Sequence, residues 1–272
     1  MLNDQHYLGQ KFQFSGLEHE YGKNVHLFKN NMTNTLLAKL CGPSTTQPYL
    51  NIYVQKLYEE LLRAALNFCL PVKTQVVESR MKEFTPMGEF KTDLFDPDTR
   101  AITVNVARAG TWPSHTCFEE LNYILSPKNI RQDHFFMNRK TNQAGQVVGV
   151  DVSGSKIGGD QDNAFVFFPD PMGATGGSLS HTISHYKEAV EGKAIKYIVL
   201  HLIITPEYIK RIQTDHPDVG IFSLRLDRGL SSKEVLGKIP GADWNNEKGL
   251  TETQYIVPGA GGVGELLNNS PI

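Results

Sequence analysis

A nine-residue segment, residues 170–178, constrains the fold of this chain more than any other part of its sequence. It follows the apolar run 164–168, which is typical of a buried strand, and it precedes a segment with helical spacing. Glycines in such a connection let backbone N–H groups turn towards an anion, and the helix N-terminus adds partial positive charge. Asp170 could accept hydrogen bonds from sugar hydroxyls. These features suit a cradle for ribose 5-phosphate, and the alternative is an ordinary turn with Ser178 as helix N-cap.

Apolar and amphipathic segments alternate along the chain. Four segments predict strands, at residues 101–107, 133–137, 164–168 and 195–204. Four others predict helices, at residues 52–70, 114–125, 178–190 and 207–214. This alternation is typical of an α/β fold with a mainly parallel sheet, in which ligands bind at the C-terminal ends of the strands.

Composition and charge exclude several classes of protein. With 272 residues, 40% of them hydrophobic, the chain can bury the core of one domain. A net charge of −2 argues against a DNA-coating surface. The longest apolar run, around 198–204, is interrupted by His201, so we expect no membrane association. The three widely spaced cysteines, Cys41, Cys69 and Cys117, fit reduced thiols in the cytoplasm.

Three motifs, in the same order along the chain, resemble those of the uracil phosphoribosyltransferases. Asp-Pro-Met-Gly-Ala-Thr-Gly-Gly-Ser at 170–178 resembles that family's loop for 5-phosphoribosyl 1-diphosphate (PRPP), except that Gly173 stands where the family usually has leucine. Arg-Ala-Gly at 108–110 is similar to its pyrophosphate loop, and Gln-Tyr-Ile-Val-Pro-Gly-Ala-Gly at 254–261 is similar to its base-binding loop. The chain is thereby identified as a member of this family.

The resemblance implies a type I phosphoribosyltransferase fold, with a mainly parallel central sheet flanked by helices, a flexible hairpin and a C-terminal hood over the base. We expect residues 25–272 to form a single domain. Residues 1–24 have no counterpart in the family, and we treat them as an N-terminal extension, either a dimer arm or a flexible terminus. The polar segment 141–163 is expected to be the hairpin, and 233–253 an insertion that borders the pocket.

The resemblance also implies roles for individual residues. Arg108 and Asp170 are expected to be the catalytic residues, with the paired donors of the Arg108 guanidinium on the pyrophosphate. The residues expected to bind PRPP are Arg108, Arg139, Asp170, Pro171, Met172, Gly173, Ala174, Thr175, Gly176, Gly177 and Ser178. The residues expected to bind uracil are Tyr255, Ile256, Gly261, Gly262 and Val263. No dedicated metal site is expected, because Mg²⁺ would be carried by PRPP.

The activity that the resemblance implies is the transfer of a phosphoribosyl group from PRPP to uracil. The products would be UMP and diphosphate, and the reaction would serve pyrimidine salvage. The resemblance further implies a homodimer or a higher homo-oligomer, and it raises GTP as an effector, as in some relatives.

Departures from the family's pattern leave other functions open. Gly262 replaces an aspartate of the base-binding loop, and Glu265 and Leu266 replace an Asp-Arg pair. One alternative is a PRPP- or nucleotide-sensing regulator of the same fold without efficient uracil transfer. The other is a phosphoribosyltransferase for a different nucleobase.

Overall fold

The computed structural model of the protein describes residues 6, 8–9, 11–13, 15–141 and 147–270, and for 138–141 and 147–152 it describes the backbone alone. The strands in this part of the chain are β1 (Val25–Leu27), β2 (Val72–Glu78), β3 (Glu89–Phe95), β4 (Arg100–Ala107), β5 (Ile130–Thr141), β6 (Val147–Lys156), β7 (Ala164–Pro169), β8 (Met172–Gly173), β9 (Lys196–Ile204) and β10 (Gly220–Leu226). The α-helices are α1 (Asn31–Leu40), α2 (Tyr49–Cys69), α3 (Thr111–Ile124), α4 (Gly177–Ala189), α5 (Pro206–Asp215), α6 (Lys233–Leu236) and α7 (Val263–Leu266).

One large sheet forms the centre of the molecule. Its strands follow the order β1-β10-β9-β7-β4-β5-β6, and the short β8 also pairs with β9. Neighbouring strands are parallel except for β6, which is antiparallel to β5. The C-terminal ends of β4, β7, β9 and β10 therefore meet at one edge of the sheet, where ligands bind in open α/β folds. The predicted fold class is confirmed.

The central strands are buried on both faces, which explains their nearly continuous apolar sequences. In β7, Phe165 and Phe167 join a core formed with α1, α2 and α3. Val166 and Phe168 alternate with them and join a second core, formed with α4 and α5 on the opposite face. All four side chains are at most 5% exposed. Helices cover both faces of the sheet and hold its C-terminal edge in place.

The elements predicted from the sequence are present, and most of their ends shift by at most three residues. The strand predicted at 133–137 is part of the longer β5, which continues into an antiparallel hairpin with β6. The hairpin expected at 141–163 therefore begins earlier, and residues 142–146, between β5 and β6, lie outside the described residues. The sequence analysis did not predict β2 and β3, which form a separate antiparallel ribbon.

The described residues between 15 and 24 lie against the domain. Tyr21 is only 2% exposed, and the insertion expected at 233–253 packs on it. The Trp244 ring meets the Tyr21 ring edge-on with centroids 5.0 Å apart, and the buried Glu247 accepts a hydrogen bond from the Tyr21 hydroxyl. The insertion is thus anchored to the N-terminal segment. The domain boundary at residue 24 stays a prediction.

Two further expectations from the sequence concern reduced cysteines and the absence of membrane association. Cys41, Cys69 and Cys117 are free, and burial raises the pKa of Cys69 to about 11. Among the described residues, no helix has both the length and the apolar character that crossing a membrane requires.

His26 on β1 is expected to make the stability of the protein depend on pH. Its ring is 8% exposed and lies 4.2 Å from the Phe68 ring centroid and 4.4 Å from that of Phe222. Burial, assisted by the charge of Lys196, lowers the pKa of His26 from 6.5 to about 4. Between these values the unfolded chain binds a proton that the folded chain does not. Acidification through this range therefore favours the unfolded state.

The substitution His26→Phe tests this expectation because it removes the proton and keeps a ring between the two phenylalanines. We expect the free energy of unfolding to fall less between pH 7 and pH 5 than in the unchanged protein. The difference should be at most about 1.4 kcal/mol per pH unit, the value for one proton. Urea unfolding at the two pH values measures it, and identical slopes in the two proteins would contradict the assignment.

Candidate active site

Apart from Arg139, the predicted site residues lie in or beside three loops at the C-terminal edge of the sheet. Arg108 directly follows β4 and Asp170 directly follows β7, its neighbour in the sheet. The third loop, 254–264, comes after β10 and the insertion. A Cβ on Gly110 would lie 2.9 Å from the carbonyl oxygen of Pro169, so the first two loops approach as closely as glycine allows.

The segment predicted to cradle a phosphate is fixed to the sheet through its backbone carbonyls. The N–H of Thr205 donates to the Gly173 carbonyl (3.1 Å), and the Thr205 hydroxyl donates to the Ala174 carbonyl (2.7 Å). The segment also adds the short strand β8 beside the end of β9. Because these carbonyls are bound inside the protein, the loop has a fixed shape before any ligand arrives.

Helix α4 begins where this loop ends. Gly176 is its N-cap and has a φ of +76°, in the left-handed region that favours glycine. The N-cap makes no side-chain hydrogen bond, the N–H of Gly177 donates only a long bond to the Thr175 hydroxyl (3.4 Å), and a Cβ on Gly177 would meet no neighbour closer than 3.8 Å. Ser178 lies inside the helix, so the alternative with Ser178 as N-cap is wrong. The helix presents its positive end and open space to an anion.

Asp170 is held at the end of β7 by its backbone and its side chain. Its N–H donates to the Leu200 carbonyl (3.0 Å), and its Oδ1 accepts from the N–H of Met172 (3.0 Å). Its carbonyl accepts from Nδ1 of His201 (2.5 Å), whose Nε2 lies 2.5 Å from the Tyr208 hydroxyl. Burial lowers the pKa of His201 to about 3 and raises that of Tyr208. The sequence analysis identifies His201 only as a polar interruption of an apolar run.

Arg108 carries a guanidinium that is 57% exposed at the same edge. Its Nη1 donates to the Ser270 hydroxyl (2.7 Å), and its Nη2 lies 3.8 Å from the Glu265 carboxylate. The peptide bond between Ala107 and Arg108 is cis. The sequence analysis predicted neither partner of the guanidinium. Its exposure and its donors suit it to bind an anionic ligand at the surface of the cleft.

A buried ion pair fixes the base-binding loop. The Arg225 guanidinium donates two hydrogen bonds to the Asp227 carboxylate, each 2.7 Å long, and Asp227 is 2% exposed. Both partners also hold Gly259: its N–H donates to Asp227 Oδ2 (2.7 Å), and its carbonyl accepts from Arg225 Nη2 (2.9 Å). The sequence analysis missed this pair, which the Arg-x-Asp spacing at the end of an apolar strand could have indicated.

The base-binding loop reaches the pyrophosphate loop directly. A Cβ on Gly264, in the short helix α7, would lie 3.2 Å from the Cβ of Ala109. The segment 108–110 therefore lies against the end of β7, directly before the segment 170–178, and against α7, just after the segment 254–261, so the three motifs lie together at one edge of the sheet.

The residues predicted to bind uracil occupy different environments. Tyr255 is 48% exposed, whereas Ile256 and Val263 are at most 8% exposed and belong to the core. Gly261 has a φ of +71° with nothing within 4 Å of a Cβ built on it, and Gly262 directly precedes α7. The loop thus combines buried anchors with an open glycine surface.

Arg139 is the predicted site residue that the structure does not place in full. Its backbone pairs with Val150 in the hairpin, beyond the point where β4 ends opposite Phe136. The side chain of Arg139 lies outside the described residues. Its expected contact with PRPP stays a prediction.

Comparison with known proteins agrees with the motifs. A family model described as uracil phosphoribosyltransferase matches residues 27–242. A uracil phosphoribosyltransferase of Chlamydia muridarum is 38% identical over 112 residues, which are 41% of this chain and 29% of that protein. Another, of Streptococcus uberis, is 36% identical over 112 residues, 41% of this chain and 43% of that protein. The matched region thus spans less than half the length of these relatives.

Among solved structures, the fold is similar to that of the AQ2163 protein from Aquifex aeolicus. The TM-score is 0.66, the sequence identity is 19%, and the match covers 89% of this chain and 97% of that one. At this identity the similarity establishes the fold alone.

Proposed function

The chain belongs to the uracil phosphoribosyltransferase family, whose model matches residues 27–242, and we propose that it transfers the phosphoribosyl group of PRPP to uracil. The products are UMP and diphosphate, and the reaction serves pyrimidine salvage. The observation that carries the proposal is the placement of the three motifs together at one edge of the sheet, through the close approaches at Gly110 and Gly264. A phosphate cradle, an exposed arginine and a glycine-rich loop are thereby within reach of one substrate.

Each part of PRPP has a matching part of the cleft. The 5-phosphate binds the N-terminus of α4, where the helix dipole and the uncapped N–H groups stabilise it. The Asp170 carboxylate accepts hydrogen bonds from the ribose hydroxyls, and Arg108 binds the pyrophosphate. These contacts hold the anomeric carbon in line between the leaving group and the base.

The chemical step needs no covalent nucleophile from the protein. The bond between the anomeric carbon and the pyrophosphate oxygen breaks, and its electron pair leaves with the pyrophosphate. Uracil N1 forms the new bond to that carbon, and the N1 proton passes to an oxygen of the departing pyrophosphate. Arg108 stabilises the charge that grows on the leaving oxygens, which is where a fixed cation accelerates such a reaction most. The hairpin of β5 and β6 excludes water from the cleft.

Uracil binds the loop that Arg225 and Asp227 hold in place. Backbone groups near Gly261 and Gly262 pair with the O4, N3–H and O2 edge of the base, and Tyr255 walls the pocket. Cytosine inverts donor and acceptor on that edge, so its binding would leave polar groups unpaired.

Magnesium, carried by PRPP, is part of the proposal. The Asp170 carboxylate supplies the type of hard oxygen ligand that Mg²⁺ prefers. The described residues contain no group of three or more His, Cys, Asp or Glu side chains placed to hold a metal. When bound to the pyrophosphate, the ion neutralises part of the leaving group's charge. A homo-oligomer and regulation by GTP are proposals that rest on the family resemblance alone.

UMP formation from labelled uracil, PRPP and Mg²⁺, with and without GTP, tests the proposed function. We expect UMP from uracil and little product from cytosine, hypoxanthine or orotate. Conversion of another base in preference to uracil would reassign the substrate. PRPP binding without conversion of any base would replace the transferase by a sensor of the same fold.

A further inference from the structure

His201 and Tyr208 form a buried polar pair directly beneath the PRPP loop. His201 is 0% exposed and Tyr208 is 1% exposed, although each carries polar atoms into an apolar core. A buried polar group is costly unless it is hydrogen-bonded, so both groups require partners. They meet this requirement through each other and through the backbone of Asp170.

The direction of these hydrogen bonds follows from the chemistry of the groups. The Asp170 carbonyl can only accept, so His201 Nδ1 carries a proton and donates to it. Burial keeps the ring neutral, with a pKa of about 3, so Nε2 has a lone pair. The Tyr208 hydroxyl therefore donates to Nε2. The bonds run in one direction, from Tyr208 through His201 to the backbone of Asp170.

The Asp170 carbonyl, which can only accept, fixes the tautomer of the histidine, and the Tyr208 hydroxyl stabilises that tautomer by donating to Nε2. In the other tautomer Nε2 would carry the proton, and the lone pair of Nδ1 would face the lone pairs of the Asp170 carbonyl. A donor bound to Nε2 also disfavours this arrangement. The hydroxyl thus acts on Asp170 through the imidazole ring.

The Tyr208 ring also supports the loop by contact. A Cβ on Gly173 would lie 3.0 Å from Cγ of Tyr208 and 2.8 Å from Cγ2 of Ile204, and a Cβ on Gly176 would lie 3.4 Å from Cδ2 of Tyr208. The ring fills the space beneath both glycines. Gly173 is also the position where the loop departs from the leucine of the family's pattern.

From this arrangement we propose that His201 and Tyr208 are positioning residues for PRPP, which hold the Asp170 end of the loop in its binding conformation. The proposal deepens the proposed function and rests on it. Neither side chain touches the substrate: His201 acts through the Asp170 carbonyl, and Tyr208 acts through His201 and through the glycines above its ring.

Three substitutions isolate the hydrogen bonds. Tyr208→Phe keeps the ring and removes the hydroxyl, and we expect the KM for PRPP to rise roughly 3- to 10-fold, the value of one neutral hydrogen bond. His201→Leu leaves both the Asp170 carbonyl and the Tyr208 hydroxyl unpaired, and it should raise this KM by at least about 10-fold. His201→Asn places an amide N–H near the position of Nδ1 and should recover most of the loss.

The KM for uracil of Tyr208→Phe should stay close to that of the unchanged protein. Its thermal midpoint should fall by several degrees, because the buried Nε2 of His201 loses its donor. Tyr197→Phe is the matched control. Tyr197 lies near the N-terminal end of β9, the strand that carries His201, and its hydroxyl donates to Gln161 (2.7 Å). This control should leave the KM for PRPP unchanged. The proposal is overturned if all three variants, Tyr208→Phe, His201→Leu and His201→Asn, keep the KM for PRPP of the unchanged protein. An equal loss for both substrates would also overturn it, since it indicates general destabilisation.

Calorimetric titration with PRPP separates this inference from the proposed function. If the unchanged protein makes no UMP but binds PRPP, the uracil transferase assignment fails while the same variants still test the positioning role through the Kd for PRPP. If it makes UMP and the variants bind PRPP as it does, the positioning role fails alone. If it does not bind PRPP at all, both proposals are overturned.

Discussion

Replacing Arg108 with alanine is expected to lower kcat/KM for UMP formation by roughly 10²- to 10³-fold, the loss usually seen when one group that stabilises transition-state charge is removed. The guanidinium is 57% exposed and lies at the end of β4, so its removal opens no cavity in the core. The thermal midpoint should therefore change little. Product inhibition separates binding from chemistry: pyrophosphate should inhibit the variant more weakly, whereas UMP, which lacks a pyrophosphate, should bind as before.

Two controls make this result specific to the pyrophosphate contact. Ser270→Ala removes the hydroxyl that accepts a hydrogen bond from Arg108, and it should leave most of the activity intact. Arg63→Ala removes a guanidinium of similar exposure, 62%, that pairs with Glu60 on α2, and it should have no effect on UMP formation. Retention of full activity in Arg108→Ala would exclude the arginine from the reaction.

The sequence predicts β4, β7 and β9 well because their apolar runs are buried on both faces, but it does not predict β1, β8 or β10 of the same sheet. The run 164–168 can satisfy its apolar side chains only between two layers, and the structure places it in the middle of the sheet. The ribbon of β2 and β3 gave no such signal. Most of its residues are partly or fully exposed, and its strands pair only with each other, so its charged and apolar residues follow no single buried face.

The site was predictable where its backbone imposes a residue type. Gly110 and Gly176 are required by a close approach and by a left-handed φ, and such requirements produce recognisable motifs. The supports of the site were not predictable in this way. His201 and Tyr208 are seven positions apart, on a strand and a helix, and the bond between them exists only because α5 folds back over β9. Sequence spacing alone does not encode that contact.

The second large effect is expected at Gly259, in the loop predicted to bind the base. Its φ is +62°, and a Cβ built on it would lie 2.2 Å from the carbonyl oxygen of Ile256 and 2.9 Å from the carbonyl carbon. Both are backbone atoms, which cannot move aside as a flexible side chain can. Gly259→Ala must therefore displace the loop and weaken its bonds to Arg225 and Asp227.

Because the displaced loop is proposed to hold the base and not the phosphate, the two substrates should respond differently to Gly259→Ala. A shift of about 1 Å in a positioning loop lowers rates by about 10²-fold, and we expect a loss of at least that size in UMP formation. PRPP should still bind, since its cradle is built on β7, α4 and α5. Gly22→Ala also places a side chain at a positive φ, +98°, but there a Cβ would meet only the end of the Gln213 side chain at 3.7 Å. That control should retain the transfer activity. Loss of PRPP binding in Gly259→Ala would contradict the prediction, because it would show that the loop around Gly259 and the phosphate cradle do not act separately.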